Sequence, residues 1–336
     1  MKTNEFIDYV QSFFQRYASG QRGLSANTIS SYSDGILLFF RFYETEVGIK
    51  PDKLKFDDLS KERVVKFCEW IEKDLGRKVS TRNQRLTAIH ALFRYILGET
   101  PLYSSLCRDV LSIKMKKVQK KPPVYLSIEA TKELLKIPNT SKDCELRDLA
   151  LLCLLYDSGI RVQELIQLKE SDLTLETKGL VTVIGKGKKI RSIPISPTTT
   201  KILKTYFERR SYQDSTKTIF INRSGKKLTR TGVNYILNKY MDKLRETYEG
   251  SLPLKVSPHI LRHSKATHLL YEGVNLIYIR DFLGHSSVTT TEIYASTNPE
   301  MIRKGIEISN KIIVDSKEVP QKKKDELIEF LKQFRN

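Results

Sequence analysis

Between Pro258 and Tyr294 the sequence carries an ordered set of side chains able to handle a phosphate. His259 and Arg262 stand three apart at the start of an apolar-periodic run, which puts both on one face of a helix. Pro258 suits the first turn of that helix, where its missing N–H would have no partner anyway. Gly273 ends it, a second short amphipathic segment runs from Val274 to Leu283, and Gly284 places His285 in a turn. A further short helix over residues 287–294 would carry Tyr294. A guanidinium presents a planar fork of donors that matches a phosphate. An imidazole can donate to the same oxygens or move a proton, and a phenol can be a covalent nucleophile. Together they suggest phosphoryl transfer through a phosphotyrosine. Singly, each has a plainer reading: Tyr294 is one of sixteen tyrosines, His285 could brace a turn, and Arg262 could sit at the surface. The ordered set favours the chemistry.

The elements that must position this set lie upstream. Residues Arg147 to Ser158 form a strongly apolar helix, broken by Gly159 and followed by Arg161. A guanidinium beside a buried helix end is costly unless paired, and Glu164, one turn along, is placed to orient it. Leu180–Ile184 and Ile190–Ile195 are branched, partly alternating runs around the Gly-containing loop Gly185-Lys186-Gly187-Lys188-Lys189, so they read as a β-hairpin. Any of Lys186, Lys188 and Lys189 could reach a ligand from that loop. Ser127-Ile128-Glu129 opens a helix before the apolar one, with a carboxylate in its first turn. Further helices run from Ser196-Pro197 to about Tyr212 and from Thr229 to about Tyr248. One more is expected over residues 301–313, and a short amphipathic tail helix follows Pro320.

Residues 3–111 read as helical, with four amphipathic stretches marked by Phe6 to Tyr17, Ile29 to Tyr43, Val64 to Ile71 and Leu86 to Ile96. Short connections suggest a compact bundle. Residues 112–124 are basic, poorly periodic and contain Pro122-Pro123, the signature of a linker. The chain of 336 residues is long enough for two cores, and its formal net charge of +19 is the footprint of a polyanion binder. A ribosomal or membrane-surface protein would share that charge. No apolar run approaches the roughly 20 residues of a membrane helix, and the amino terminus lacks the apolar core of a secretory signal. Cys68, Cys107, Cys144 and Cys153 are scattered without metal-ligand spacing and read as reduced core thiols in a cytosolic protein. His259, His263 and His268 have helical spacing that could hold zinc, but no carboxylate follows the first histidine and Arg262 would set a cation beside the metal. No metal is therefore expected, and His263 and His268 are read as structural.

The order Arg161, Lys186, His259-x-x-Arg262, His285, Tyr294, with its spacing, resembles the tyrosine recombinase (phage integrase) family. Gly159 to Leu165 is similar to that family's first arginine box, and Gly185 to Lys189 to its hairpin lysine, with Lys186 in register. Leu24 to Gly35 and Ser80 to Tyr95 look like its core-binding domain. The resemblance implies a mainly α fold with a small β-sheet (α+β) in two domains. These are a helical core-binding bundle over 1–111, a basic linker over 112–124, a mixed catalytic domain over 125–314, and a tail over 315–336 that docks on a neighbouring subunit. It implies attack by Tyr294, oxyanion stabilisation by Arg161, Arg262 and the histidines, and proton transfers by Lys186 and His259, with Glu164 orienting Arg161. It implies a site-specific recombinase working through a 3′-phosphotyrosyl link and a four-way junction, without cofactors. Its partner would be duplex DNA with an inverted-repeat site, bound by a homotetramer with or without DNA-bending accessory proteins, in the prokaryotic cytosol. Arg77, Lys78, Arg82, Arg85, Arg94, Lys116, Lys117, Lys120, Lys188, Arg223 and Arg230 are candidate DNA contacts, against the alternative of a solvated basic surface. Two other activities share parts of this pattern: a type IB topoisomerase-like nicking-closing enzyme, and a non-catalytic DNA-binding protein.

Overall fold

A computed structural model of the protein describes residues 5–118, 123–176, 179–185, 189–210, 218–285, 287 and 291. Lys120, Lys186, Lys188 and Tyr294, the helix expected over 301–313 and the tail over 315–336 lie outside the described residues. The chain divides into two units, Met1–Lys120 and Lys121–Asn336.

The first unit contains, among the described residues, helices α1 (Glu5–Ser12), α2 (Ala26–Phe42), α3 (Lys61–Lys73), α4 (Val79–Glu99) and α5 (Ser104–Leu111). Wider π-type turns continue α1 over Phe13–Gln21. The starts of α2 and α3 are set by Ser25 and Ser60, whose hydroxyls accept the backbone N–H of Thr28 and Arg63. Helix α4 packs along α2. Phe39 and Phe67 meet edge to face with ring centroids 5.0 Å apart, a geometry worth about 1 kcal/mol beyond its area. Helix α5 adds to the four amphipathic stretches; at eight residues it is too short to stand out by periodicity.

This core also corrects the reading of Arg82. Its residue is 5% exposed, Nη1 donates to the carbonyl of Lys114 at 3.1 Å and to Asn83 Oδ1 at 3.0 Å, and Nε lies 3.7 Å from Glu72. The side chain is turned into the bundle, where it ties α4 to the chain after α5, and it is not offered to DNA. Periodicity placed it on a basic stretch but could not tell that it faces α3.

In the second unit α6 (Ile128–Lys136) starts at Ser127, whose Oγ accepts the N–H of Ala130. Helix α7 (Asp143–Ser158) is buried along most of its length and ends at Gly159, whose φ of +58° reverses the chain. The single turn α8 (Val162–Leu165) follows. Strands β1 (Leu173–Thr174), β2 (Leu180–Ile184) and β3 (Ile190–Pro194) form an antiparallel sheet in that order, with Val183 opposite Arg191. The hairpin was legible; β1, with two residues, was not. Helices α9 (Pro197–Arg209), α10 (Arg230–Thr247), α11 (His259–Tyr271) and α12 (Leu276–Leu283) complete the described elements, with α9 and α11 packed on α7. His268 is a packing residue: its ring nitrogens meet the Tyr156 hydroxyl and the Leu126 carbonyl, each at 2.9 Å. Cys68, Cys107 and Cys153 are buried, whereas Cys144, in the first turn of α7, is exposed and is not a core thiol. Among the described residues no helix is long and apolar enough to cross a membrane.

Candidate active site

Two helix ends in the second unit supply three main-chain acceptors for two guanidiniums. Helix α7 stops at Gly159, α12 stops at Leu283, and Gly284 turns the chain with φ +64°. Helix termini leave carbonyls without intrahelical partners. Arg262, on the first turn of α11 and 3% exposed, donates Nη1 to the carbonyl of Gly159 and Nη2 to that of Leu283, both at 2.6 Å. Arg161, the residue before α8, donates Nη2 to the carbonyl of Gly284 at 3.2 Å and Nη1 to Glu164 Oε1 at 3.1 Å. Its side chain is 32% exposed and uses two of the five N–H donors of a guanidinium, so it retains donors for a ligand.

Glu164 is the hinge of this arrangement. Its Oε2 accepts the backbone N–H of Arg161 at 2.8 Å, closing a cap on α8. The same carboxylate accepts both terminal nitrogens of Arg191, Nη1 on Oε1 at 3.2 Å and Nη2 on Oε2 at 2.8 Å. Burial opposes its ionisation, but the bonds from Arg191 and the Arg161 N–H, with the two positive charges, outweigh burial and hold its pKa below the usual carboxylate range.

Two imidazoles border the guanidiniums. His285 follows Gly284; its N–H bonds to the carbonyl of Arg280 and its Nδ1 lies 3.0 Å from the buried hydroxyl of Thr291. Burial, and then the charges of Arg262 and Arg161, push its pKa down to about 4. His259 presents itself at the exposed start of α11. Desolvation, and then Arg262, Arg161 and Arg230, lower its pKa. Both rings are therefore neutral at pH 7, each with one N–H to give and one lone pair to take a proton. Arg230, read from sequence only as a DNA contact, acts on His259 from the first position of α10. Among the described residues no group of three or more His, Cys, Asp or Glu side chains is gathered in a way that could hold a metal ion.

Residues 125–301 match the family model described as "Phage integrase family", and residues 11–100 match "Phage integrase, N-terminal SAM-like domain". The chain belongs to the phage integrase family of tyrosine recombinases. A putative integrase/recombinase, y4rC, of Sinorhizobium fredii is 35% identical over 85% of this chain and 86% of its own length. The tyrosine recombinase XerD of Staphylococcus epidermidis is 32% identical over 89% and 95%. Among solved structures, the fold is similar to that of the XerH site-specific recombinase bound to its difH substrate in a pre-cleavage complex. That likeness has a TM-score of 0.65 and 21% identity, covering 90% of this chain and 87% of that one. It is also similar to the Tn1549 transposon integrase in complex with a circular intermediate DNA, with a TM-score of 0.67 and 18% identity, covering 91% and 99%. This tyrosine recombinase is a site-specific enzyme that cleaves and rejoins DNA, and the family kinship does not favour the topoisomerase-like or non-catalytic readings.

Of the recombinase set read from sequence, Arg161, Glu164, His259, Arg262 and His285 are described and lie together at the ends of α7, α11 and α12. Lys186 and Tyr294 are outside the described residues. Arg94, Lys116, Lys117 and Arg223 are exposed, and Lys116 Nζ pairs with Glu72 at 2.8 Å. Arg85 is half-buried, donating to the carbonyl of Ser31 at 3.2 Å beside Asp34. Sequence reasoning missed Arg191. The signal was present: in β3 it shares the inward face with Ile193, and a charge at an inward strand position must have a partner.

Proposed function

We propose that Tyr294 is the nucleophile and that the site assembled around Arg161 and Arg262 binds the scissile phosphate. The observation that carries this reading is the pair of guanidiniums fixed by the carbonyls of Gly159, Leu283 and Gly284 and bordered by two neutral imidazoles. Thr291, whose hydroxyl meets His285, precedes Tyr294 by three positions. The phenol oxygen attacks phosphorus, and the P–O5′ bond breaks. His259 takes the phenolic proton, and Lys186 gives a proton to the leaving 5′-oxygen. Arg161 and Arg262 stabilise charge on the non-bridging oxygens, and His285 donates its Nε2–H to one of them while the Thr291 hydroxyl occupies Nδ1. Glu164 orients Arg161. The phosphodiester energy is kept in the 3′-phosphotyrosyl bond, so the 5′-hydroxyl of a partner strand reverses the step without a nucleotide cofactor.

In this proposal residues 1–111 form the core-binding domain, 112–124 the basic linker, 125–314 the catalytic domain, and 315–336 a tail that docks on a neighbouring subunit. Arg85, Arg94, Lys116, Lys117, Lys120, Lys188, Arg223 and Arg230 contact the DNA backbone. Four protomers pair two duplexes with inverted-repeat sites in the cytoplasm, exchange strands through a four-way junction, and recruit DNA-bending proteins where the site needs them. The role is resolution of the Xer kind or movement of a mobile element.

The test uses genomic fragments selected by binding, then a substrate nicked beside the cleavage site. Wild type should form a denaturant-resistant protein–DNA adduct and Tyr294→Phe should not. Adducts from both would remove Tyr294 as nucleophile, and binding without an adduct from either would remove the catalytic reading of the site.

A further inference from the structure

We propose that Arg191 is a positioning residue for strand cleavage: it is the counter-charge of Glu164, and it lets Glu164 orient Arg161 without cancelling Arg161's charge. The inference rests on the phosphate-binding role proposed for Arg161. A carboxylate beside a phosphate-binding guanidinium has two opposed effects. It fixes the guanidinium's direction, and it neutralises the charge meant for the substrate. Here the carboxylate is shared. Glu164, with a side chain 9% exposed, receives the Arg161 guanidinium on one oxygen and that of Arg191 on both. Two cations against one anion leave a net positive charge on the trio, and Arg161 is the more exposed cation, at 32% against 14%.

Arg191 also fills the space between two turns. A Cβ on Gly284 would lie 2.7 Å from Arg191 Nη1, and one on Gly185 would lie 3.0 Å from it. Gly185 closes the described end of β2 by donating its N–H to the carbonyl of Lys189 at 2.8 Å, and Gly284 precedes His285. One side chain thus abuts the hairpin end, the α8 cap and the turn before His285. Its Nε is buried without a partner among the described residues, so its described polar bonds run to Glu164 alone. Burying a second guanidinium is costly, and an apolar residue would pack an inward strand position without that cost.

The experiment measures single-turnover adduct formation on the nicked substrate, together with DNA affinity and melting temperature. The variants are Arg161→Ala, Arg191→Gln, Arg191→Lys, Glu164→Gln and the double variant Glu164→Gln/Arg191→Gln. Arg191→Gln should slow cleavage about 10- to 100-fold, as for other groups acting through a directly bound partner, while DNA affinity stays within about twofold. In the Glu164→Gln background the same substitution should cost less than about threefold, because the anion it balances is gone. Arg191→Lys, which keeps the charge but not the two-pronged fit, should cleave at an intermediate rate, and it carries the test if Arg191→Gln melts far below wild type. Cleavage by Arg191→Gln or Arg191→Lys at the wild-type rate overturns the inference. So does an equal loss in both backgrounds, which would mean that Arg191 does not act through Glu164. Full cleavage by Arg161→Ala would instead sink the reading of the site itself.

Discussion

Arg262 donates to the carbonyl of Gly159, 103 positions earlier in the chain, at 2.6 Å. The same guanidinium holds the carbonyl of Leu283, so it pins the end of α7 to the end of α12 from the start of α11. These bonds give it a structural job beside the chemical one proposed for it. Arg262→Ala should abolish adduct formation and also strip two buried carbonyls of a charged donor, at a cost of about 3 kcal/mol. Arg262→Lys should recover little of either, since an ammonium cannot span both acceptors. Thermal melting beside the adduct assay checks this; a variant with unchanged melting temperature would show that the two bonds contribute nothing to the fold.

Gly284→Ala should damage cleavage more than stability. A φ of +64° costs a non-glycine residue roughly 1 kcal/mol, but the new methyl would also displace Arg191 from 2.7 Å. Gly225 is the control. Its φ is +70° and a Cβ there meets nothing within 4 Å, so Gly225→Ala carries the same backbone strain with no neighbour to move. Equal cleavage rates for the two variants would contradict the steric argument.

Acid should destabilise the protein before its carboxylates titrate. His263 and His285 are lowered from 6.5 to about 4, burial being the first cause for each. Between those values the unfolded chain binds protons that the folded chain refuses, so stability rises with pH through the window and is lost as pH falls. Melting temperature should decline from pH 6.5 to pH 5, and His263→Gln should flatten the decline. A melting temperature independent of pH in that range would show that the rings are not held neutral.

Arg82 and Arg94 lie on one helix and should behave as opposites. Arg94→Ala, at an exposed position, should reduce the slope of log affinity against log salt by about 0.9, the share of one phosphate contact. Arg82→Ala should leave that slope unchanged and lower the melting temperature, because its buried side chain is held by Glu72 and the Lys114 carbonyl. A changed salt slope for Arg82→Ala would return it to the DNA surface.

The described helices and the hairpin were legible because their apolar periods were long enough to count, and the family because the order of Arg161, Lys186, His259, Arg262, His285 and Tyr294 is unusual. What escaped notice depends on tertiary direction. Arg82 and Arg94 belong to the same basic, helical stretch, and only the packing of α3 against α4 decides that one faces inward. Arg191 lies in a run that reads as an ordinary strand, and its meaning comes from the register that sets it beside α8. Cys144 stands between Asp143 and Glu145, and the first turn of α7 projects it to solvent. Short elements such as β1 and α5 carry too few residues to show a period.

The carbonyl acceptors of the two guanidiniums have a consequence for biosynthesis. Arg161 leaves the ribosome 123 residues before Gly284, its main-chain acceptor. At ordinary elongation rates that interval is roughly 6 to 25 seconds. Throughout it the nascent chain holds Arg161 without the turn that completes its anchorage, and Arg262, once made, waits a further 21 residues for the carbonyl of Leu283. A chain truncated anywhere before residue 283 therefore lacks main-chain acceptors that fix the two guanidiniums proposed to bind the scissile phosphate.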